Sequence, residues 1–185
     1  MILPIFALGQ PVLRRKCTPI TAEYPALSTL IDNMFETMYH SKGVGIAAPQ
    51  IGIAIRLFII DATPFAEDEE ALQGFKKTFI NAQIIEEKGE KWAFNEGCLS
   101  IPNIREDVER QETITISYQD ENFVQKKETF SGLAARIIQH EYDHIEGKLF
   151  IDYLSTFKKT LLKNKLDGIT KGRVNTNYKM KFAAI

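Results

Sequence analysis

The sequence has few of the residues that build disulfides and metal sites. Its 185 residues include only two cysteines, Cys17 and Cys98, three histidines and one tryptophan. Two isolated cysteines make no disulfide framework, leave no disulfide partner to expect and fit a reducing compartment. No apolar run approaches the roughly 20 residues that span a bilayer. The opening, Met1-Ile2-Leu3-Pro4-Ile5, lacks the basic start and long apolar core of a signal peptide. The expectation is a cytoplasmic protein with no membrane contact. A formal net charge of −1 argues against a nucleic-acid surface over the whole chain. Internal repeats and low-complexity tracts are absent as well. What is there, 44% hydrophobic and 25% charged, suits one globular domain able to bury a core. No heptad pattern asks for a partner, so a monomer is expected.

With so few histidines, their arrangement is informative. His140-Glu141-Tyr142-Asp143-His144 follows Leu133, Ile137 and Ile138, apolar positions at helical spacing with no Pro or Gly among them. Ser131 is a plausible N-cap and Gly147 a plausible stop. Residues four apart on a helix share a face, so His140 and His144 project together as two imidazoles must to grip one divalent metal ion. Glu141 then lies beside the ion, placed to take a proton from a water there and deliver it to a leaving group. A lone histidine would be read as a core or surface residue; the whole H-E-x-x-H pattern shifts the reading to a metal.

Along the rest of the chain, residues 1–20 read as an extended arm. Leu27, Leu30, Ile31, Met34, Phe35 and Met38 mark an amphipathic helix ending near His40. Residues 56–60 read as a buried strand, and 61–75, with the acidic run Glu67-Asp68-Glu69-Glu70, as a solvated loop or turn of helix. Strands are predicted over 78–87 and 90–94 with a turn at Lys88-Gly89, then over 113–118 and, past Asp120-Glu121-Asn122, over 123–125. A short strand at 149–151 and a last helix capped by Ser155 and ending near Leu166 complete the pattern. The fold class is α+β: mostly antiparallel sheet packed around a central helix that holds the metal, with an N-terminal amphipathic helix and a C-terminal helix. Residues 1–166 form one catalytic domain, and 167–185 a loosely held, polar, basic tail.

A catalytic site on two histidines needs a third protein ligand and an open position. His40 and Cys98 offer the remaining imidazole and soft donor, and any Asp or Glu could serve. Cys98 sits in Glu96-Gly97-Cys98-Leu99-Ser100-Ile101-Pro102, where Gly and Pro mark unusual backbone geometry; a buried free thiol is the plainer alternative. Gly43-Val44-Gly45-Ile46-Ala47-Ala48-Pro49-Gln50 is a poor phosphate loop, because it precedes a strand and Pro49 bars a helix. Its glycines let backbone approach a ligand, and the Gln50 amide can donate to an oxyanion.

Together the three clusters resemble the peptide deformylases, whose signatures are G-x-G-x-A-A-x-Q, E-G-C-L-S and H-E-x-D-H. They stand here at Gly43–Gln50, Glu96–Ser100 and His140–His144, in the family's order. The resemblance runs from the opening arm to about Tyr153. It implies removal of the formyl group from N-formylmethionine on nascent polypeptides, with Cys98, His140 and His144 as metal ligands and water as the fourth. It makes Glu141 the general base and acid, and gives the oxyanion to the metal, the Gln50 side chain and the Leu99 N–H. Substrate contacts are expected from Gly43, Val44, Gly45, Glu96, Gly97 and Arg105, and a methionine slot from Val44, Leu133, Ile137 and the stem of Arg136. The family implies one ion per chain, often Fe²⁺; a thiolate with two imidazoles also suits Zn²⁺, Ni²⁺ or Co²⁺.

Two rivals remain at this point. A zinc peptidase would need a third His or Glu downstream, where Glu146 is the only glutamate. A structural metal staple would need His40 as fourth ligand. Separately, Lys158, Lys159, Lys163, Lys165, Lys171, Arg173, Lys179 and Lys181, against the single acid Asp167, make the C-terminal segment a candidate for docking on ribosomal RNA. A solvated helix face is the plainer reading.

Overall fold

The computed structural model describes residues 1–183. In chain order its elements are β1 (Ile5–Phe6), α1 (Leu27–His40), β2 (Gly45–Ala47), β3 (Leu57–Asp61), β4 (Lys76–Cys98), β5 (Ile101–Gln119), β6 (Gln125–Ser131), α2 (Gly132–Ile145), α3 (Thr156–Thr170) and β7 (Met180–Lys181). Strands β2 to β6 pair antiparallel in sequence order, which is the α+β arrangement expected.

Strand β3 shows how the sheet is covered. Leu57, Phe58, Ile59 and Ile60 are all fully buried, because both faces of the strand are packed. Phe58 and Ile60 share a core with Leu133, Ala134, Ile137 and Ile138 of α2. Leu57 and Ile59 share another with Ile31, Met34, Phe35 and Met38 of α1. A strand buried on both faces reads as a continuous apolar run, as Leu57–Ile60 does. On the α2 side Phe58 stacks on Phe79 at 4.7 Å and Phe79 on Tyr118 at 4.4 Å, tying β3, β4 and β5 together.

Several sequence expectations are corrected. Lys88-Gly89 is not a hairpin turn; β4 runs through it with a shift of register, and Gly89 takes φ +88° at that bulge. β5 begins at Ile101 rather than 113. Its inward positions include the charged Glu106 and Arg110, which hide the period of two. Residues 150–153 form a 3-10 turn, not a strand. Ser155 does cap α3, accepting from the Lys158 N–H, but the helix runs on to Thr170, past the expected boundary at 166.

Neither the acidic loop nor the tail hangs free. Ser131 precedes α2 without a side-chain capping bond; instead the Glu69 carboxylate accepts from the Leu133 N–H at 3.1 Å. Beyond α3 the chain returns across the molecule. β7 pairs in parallel with β1, and Met180 and Phe182 pack against a third core of Ile101, Ile104, Phe150 and Leu162. Ala184 and Ile185 lie outside the described residues.

Candidate active site

Helix α2 delivers His140, Glu141 and His144 to one spot, with the two imidazole centroids 5.2 Å apart. Cys98 comes from the opposite side. It pairs with Ile101, so Leu99 and Ser100 make the tight turn that reverses β4 into β5. That turn is held at both carbonyls: Ser100 O accepts from the Leu8 N–H at 2.9 Å, and Leu99 O from the Tyr178 hydroxyl at 2.8 Å. Ligand atoms of Cys98, His140 and His144 lie within 4.8 Å of one another, and Cys98 Sγ stands 3.3 Å from His144 Nε2. One ion with bonds of about 2.0–2.3 Å fits between a thiolate and two imidazoles so spaced. The donor set is that of a metal centre. His40 is exposed at the end of α1 and no part of this group, so the staple reading lacks its fourth ligand. Glu146, the peptidase reading's candidate, is instead bound by Arg56 at 2.6 Å and Lys16 at 3.2 Å.

The His140 imidazole is oriented from behind, whereas His144 Nδ1 is buried with no hydrogen-bond partner among the described residues. His140 Nδ1 is 2.9 Å from Glu96 Oε2, which leaves Nε2 for the site and fixes the tautomer a ligand needs. Glu96 is itself clamped. Arg110 donates to both its oxygens at 2.7 and 3.0 Å, and Arg136 to Oε1 at 3.0 Å. Arg110 also donates to Asp143 at 2.7 Å, and Asp143 accepts from the Tyr153 hydroxyl at 3.0 Å. Burial alone would raise the Glu96 carboxyl, but the His140 and Arg110 bonds outweigh it and hold it well below the usual range. Glu96, expected to touch substrate, borders the cavity and through its bond to Nδ1 also orients His140.

Glu141 is the opposite case. It is buried, and its Oε2 has no hydrogen-bond partner among the described residues. Burial pushes its carboxyl up to about 7, where a group can both take and return a proton near neutral pH. Gly45 lies against it, and a Cβ there would stand 2.6 Å from Glu141 Oε1. A Cβ on Gly43 would stand 2.9 Å from Leu99 Cδ1. The glycine loop is therefore wedged between the carboxylate and the Cys98 turn, with no room for side chains. Gln50 is fixed by accepting from the Ala47 N–H at 2.9 Å, while its amide nitrogen reaches Ser100 Oγ at 3.3 Å and Cys98 Sγ at 3.4 Å.

Gln50, Cys98, Leu99, His140 and Glu141 border a cavity of about 740 Å³. Of the expected contact residues, Gly43, Val44, Gly45, Glu96, Gly97, Arg105, Arg136 and Ile137 line it. Leu133 does not; one helical turn further from the histidines, it is packed in the α2 core. The Arg136 head is turned away, over Trp92 at 4.4 Å and onto Glu96. Arg105 is exposed and folded back, its Nε donating to Asn95 at 2.9 Å. Sequence reasoning missed Arg110, Tyr153 and Tyr178. Asp143 stood inside the quoted motif without a role. Only the pairing of β4 with β5 brings Arg110 to Glu96, and only the returning segment brings Tyr178.

Comparison with known proteins decides the family. The polypeptide deformylase family model matches residues 2–160. The chain belongs to the peptide deformylase family. It is a hydrolase of that family, whose members are metal-dependent, and Cys98, His140 and His144 form a group that could hold a metal ion. The peptide deformylase of Flavobacterium johnsoniae is 58% identical over 191 residues, covering 100% of this chain and 97% of the relative. Among solved structures, a peptide deformylase from Legionella pneumophila matches with a TM-score of 0.80 at 37% identity, covering 94% of this chain and 98% of its own. One from Thermotoga maritima matches with a TM-score of 0.75 at 39% identity, covering 84% and 99%.

Proposed function

We propose that the chain removes the N-formyl group from N-formylmethionyl nascent polypeptides, releasing formate, and that Cys98, His140 and His144 of one continuous unit hold the single divalent ion this requires. What carries this reading is the convergence of that donor set with Glu141 and Gln50 at one end of the cavity. When bound, the ion supplies Lewis acidity and lowers the pKa of a coordinated water. Glu141 takes the proton of the attacking water and returns it to the departing amine. The Gln50 side-chain amide and the Leu99 backbone N–H donate to the oxygen that gains negative charge. Gly43 to Gly45 let the peptide approach closely; Val44 and Ile137 supply apolar surface for the methionine side chain, and Gly97, Arg105 and the Arg136 stem border it.

The family's use of iron supports Fe²⁺ as the resident ion, which metal analysis after anaerobic purification tests. Nascent chains are the substrate, so the setting is the cytoplasm. No helix among the described residues is long and apolar enough to cross a membrane. The chain works as a monomer, and the exposed Lys163 and Lys165 of α3 support docking on ribosomal RNA. Ribosome co-sedimentation that is lost with rising salt is the expected result; none at low salt would count against docking.

The reaction is tested by formate release from formyl-Met-Ala-Ser, measured without oxygen. Wild type turns over; Glu141→Ala loses about 10²–10⁴-fold while keeping its metal. Chelation abolishes release and returned Fe²⁺ restores it. Metal-replete protein that releases no formate would overturn the assignment.

A further inference from the structure

The part of the chain beyond residue 160, outside the family model's match, is built into the cleft. After α3 the chain turns, with the Arg173 N–H on Gly168 O at 2.8 Å, and residues 175–178 form one border of the 740 Å³ cavity. The position is fixed at both ends. Upstream, Asn103 Nδ2 donates to Asn175 O at 3.2 Å. Downstream, the Ile5 and Ala7 N–H groups donate to Lys179 O and Lys181 O at 2.9 and 3.0 Å, and Gln10 Nε2 to Phe182 O at 2.6 Å. Between these anchors the Tyr178 hydroxyl donates to Leu99 O, on the residue whose N–H the reading above assigns to the oxyanion.

Two consequences follow, both resting on the deformylase reading above. A cavity of this size lies within the roughly 300–1,000 Å³ of sites that enclose drug-sized ligands and exceeds what one formyl-methionyl residue fills. The remainder is bordered by the exposed amides of Asn175 and Asn177 and by Thr176, polar groups suited to the backbone of an extended peptide. Tyr178, half-buried and held by its hydroxyl bond, fixes the Leu99 carbonyl and with it the backbone that carries the Leu99 N–H. We infer that the returning segment 175–178 is a specificity-determining wall that binds the peptide beyond its first residue, with Tyr178 as a positioning residue for Leu99.

The test compares formate release from formyl-Met amide and formyl-Met-Ala-Ser by full-length wild type, Asn175→Ala, Asn177→Ala and Tyr178→Phe. The two asparagines are exposed, so their variants fold. On the tripeptide they raise KM about 3–10-fold with kcat unchanged, and on formyl-Met amide they match wild type. Tyr178→Phe lowers kcat about 3–10-fold on both substrates with KM unmoved, and its circular dichroism melt stays near that of wild type. A Lys179→Ala control behaves as wild type. Equal losses on both substrates by the asparagine variants, or none, would overturn the peptide wall; an unchanged kcat in Tyr178→Phe would overturn its positioning role. A Tyr178→Phe variant that fails to fold makes that residue structural and overturns the same claim. If wild type itself releases no formate, the deformylase reading falls and takes this inference with it.

Discussion

A methyl group at residue 45 would stand 2.6 Å from Glu141 Oε1, closer than real Cβ atoms come to anything. Gly45 takes an ordinary backbone conformation, so its requirement is for space alone. Gly45→Ala must push the carboxylate off its position, and a misplacement near 1 Å costs about 10²-fold in rate. The expected outcome is that loss in kcat from a protein that still melts cooperatively. Gln50 carries two duties, donating toward the reacting oxygen and accepting from the buried Ala47 N–H. Gln50→Ala should lower kcat roughly 10²–10³-fold. It should also lower stability, because an unpaired buried N–H costs about 1–3 kcal/mol. Gln50→Glu keeps an acceptor for the Ala47 N–H but replaces the amide donor, so kcat stays low as in Gln50→Ala.

At the scale of elements, helix α2 is started by a residue far away in sequence. Glu69, from the loop after β3, supplies both a hydrogen-bond acceptor and a negative charge at the helix N-terminus. Glu69→Ala removes a cap worth about 1 kcal/mol. Thermal unfolding should shift down by roughly 2–4 °C, as expected for a chain of this length. Sheet and helix are also clamped by the buried chain from Asp143 through Arg110 to Glu96 and His140. Arg110→Met would leave the buried Asp143 without a cation and Glu96 with Arg136 and His140 alone, a loss of about 3–5 kcal/mol read by urea unfolding. Metal competition with a chelator should show affinity weakened roughly 10–100-fold, because the support behind a ligating histidine is gone.

For the whole molecule the native carboxylates set the acid limit. Glu96, Asp61, Glu128 and Glu146 are each held below their ordinary values against the opposing effect of burial, Glu96 most strongly. A carboxyl depressed in the folded state contributes stability that is complete above its unfolded pKa and is lost as pH falls through the folded one. Glu141, raised to about 7, works the other way, losing stability as pH climbs from 4.5 toward 7. The four outweigh the one, so melting temperature should fall as pH drops below about 4.5 and go on falling well under the usual carboxyl range. Melts from pH 7 to pH 3 check this; a flat profile would contradict it.

What the sequence determined by itself is local or motif-borne. The helical spacing around His140 and His144, the glycines of residues 43 and 45, and the apolar run of β3 are each consequences of neighbours in the chain. They sufficed for the α+β class, for α1 and α2, and for the residues brought together at the candidate metal centre. What only the tertiary structure decided depends on distant partners. The Glu69 cap on α2, the clamp of Arg110 on Glu96 and the return of residues 171–183 against β1 leave no periodic trace. Each is a single polar or short apolar contact made across the fold. Its residues look like a solvated acid, a surface arginine or a loose tail until packing excludes water from them.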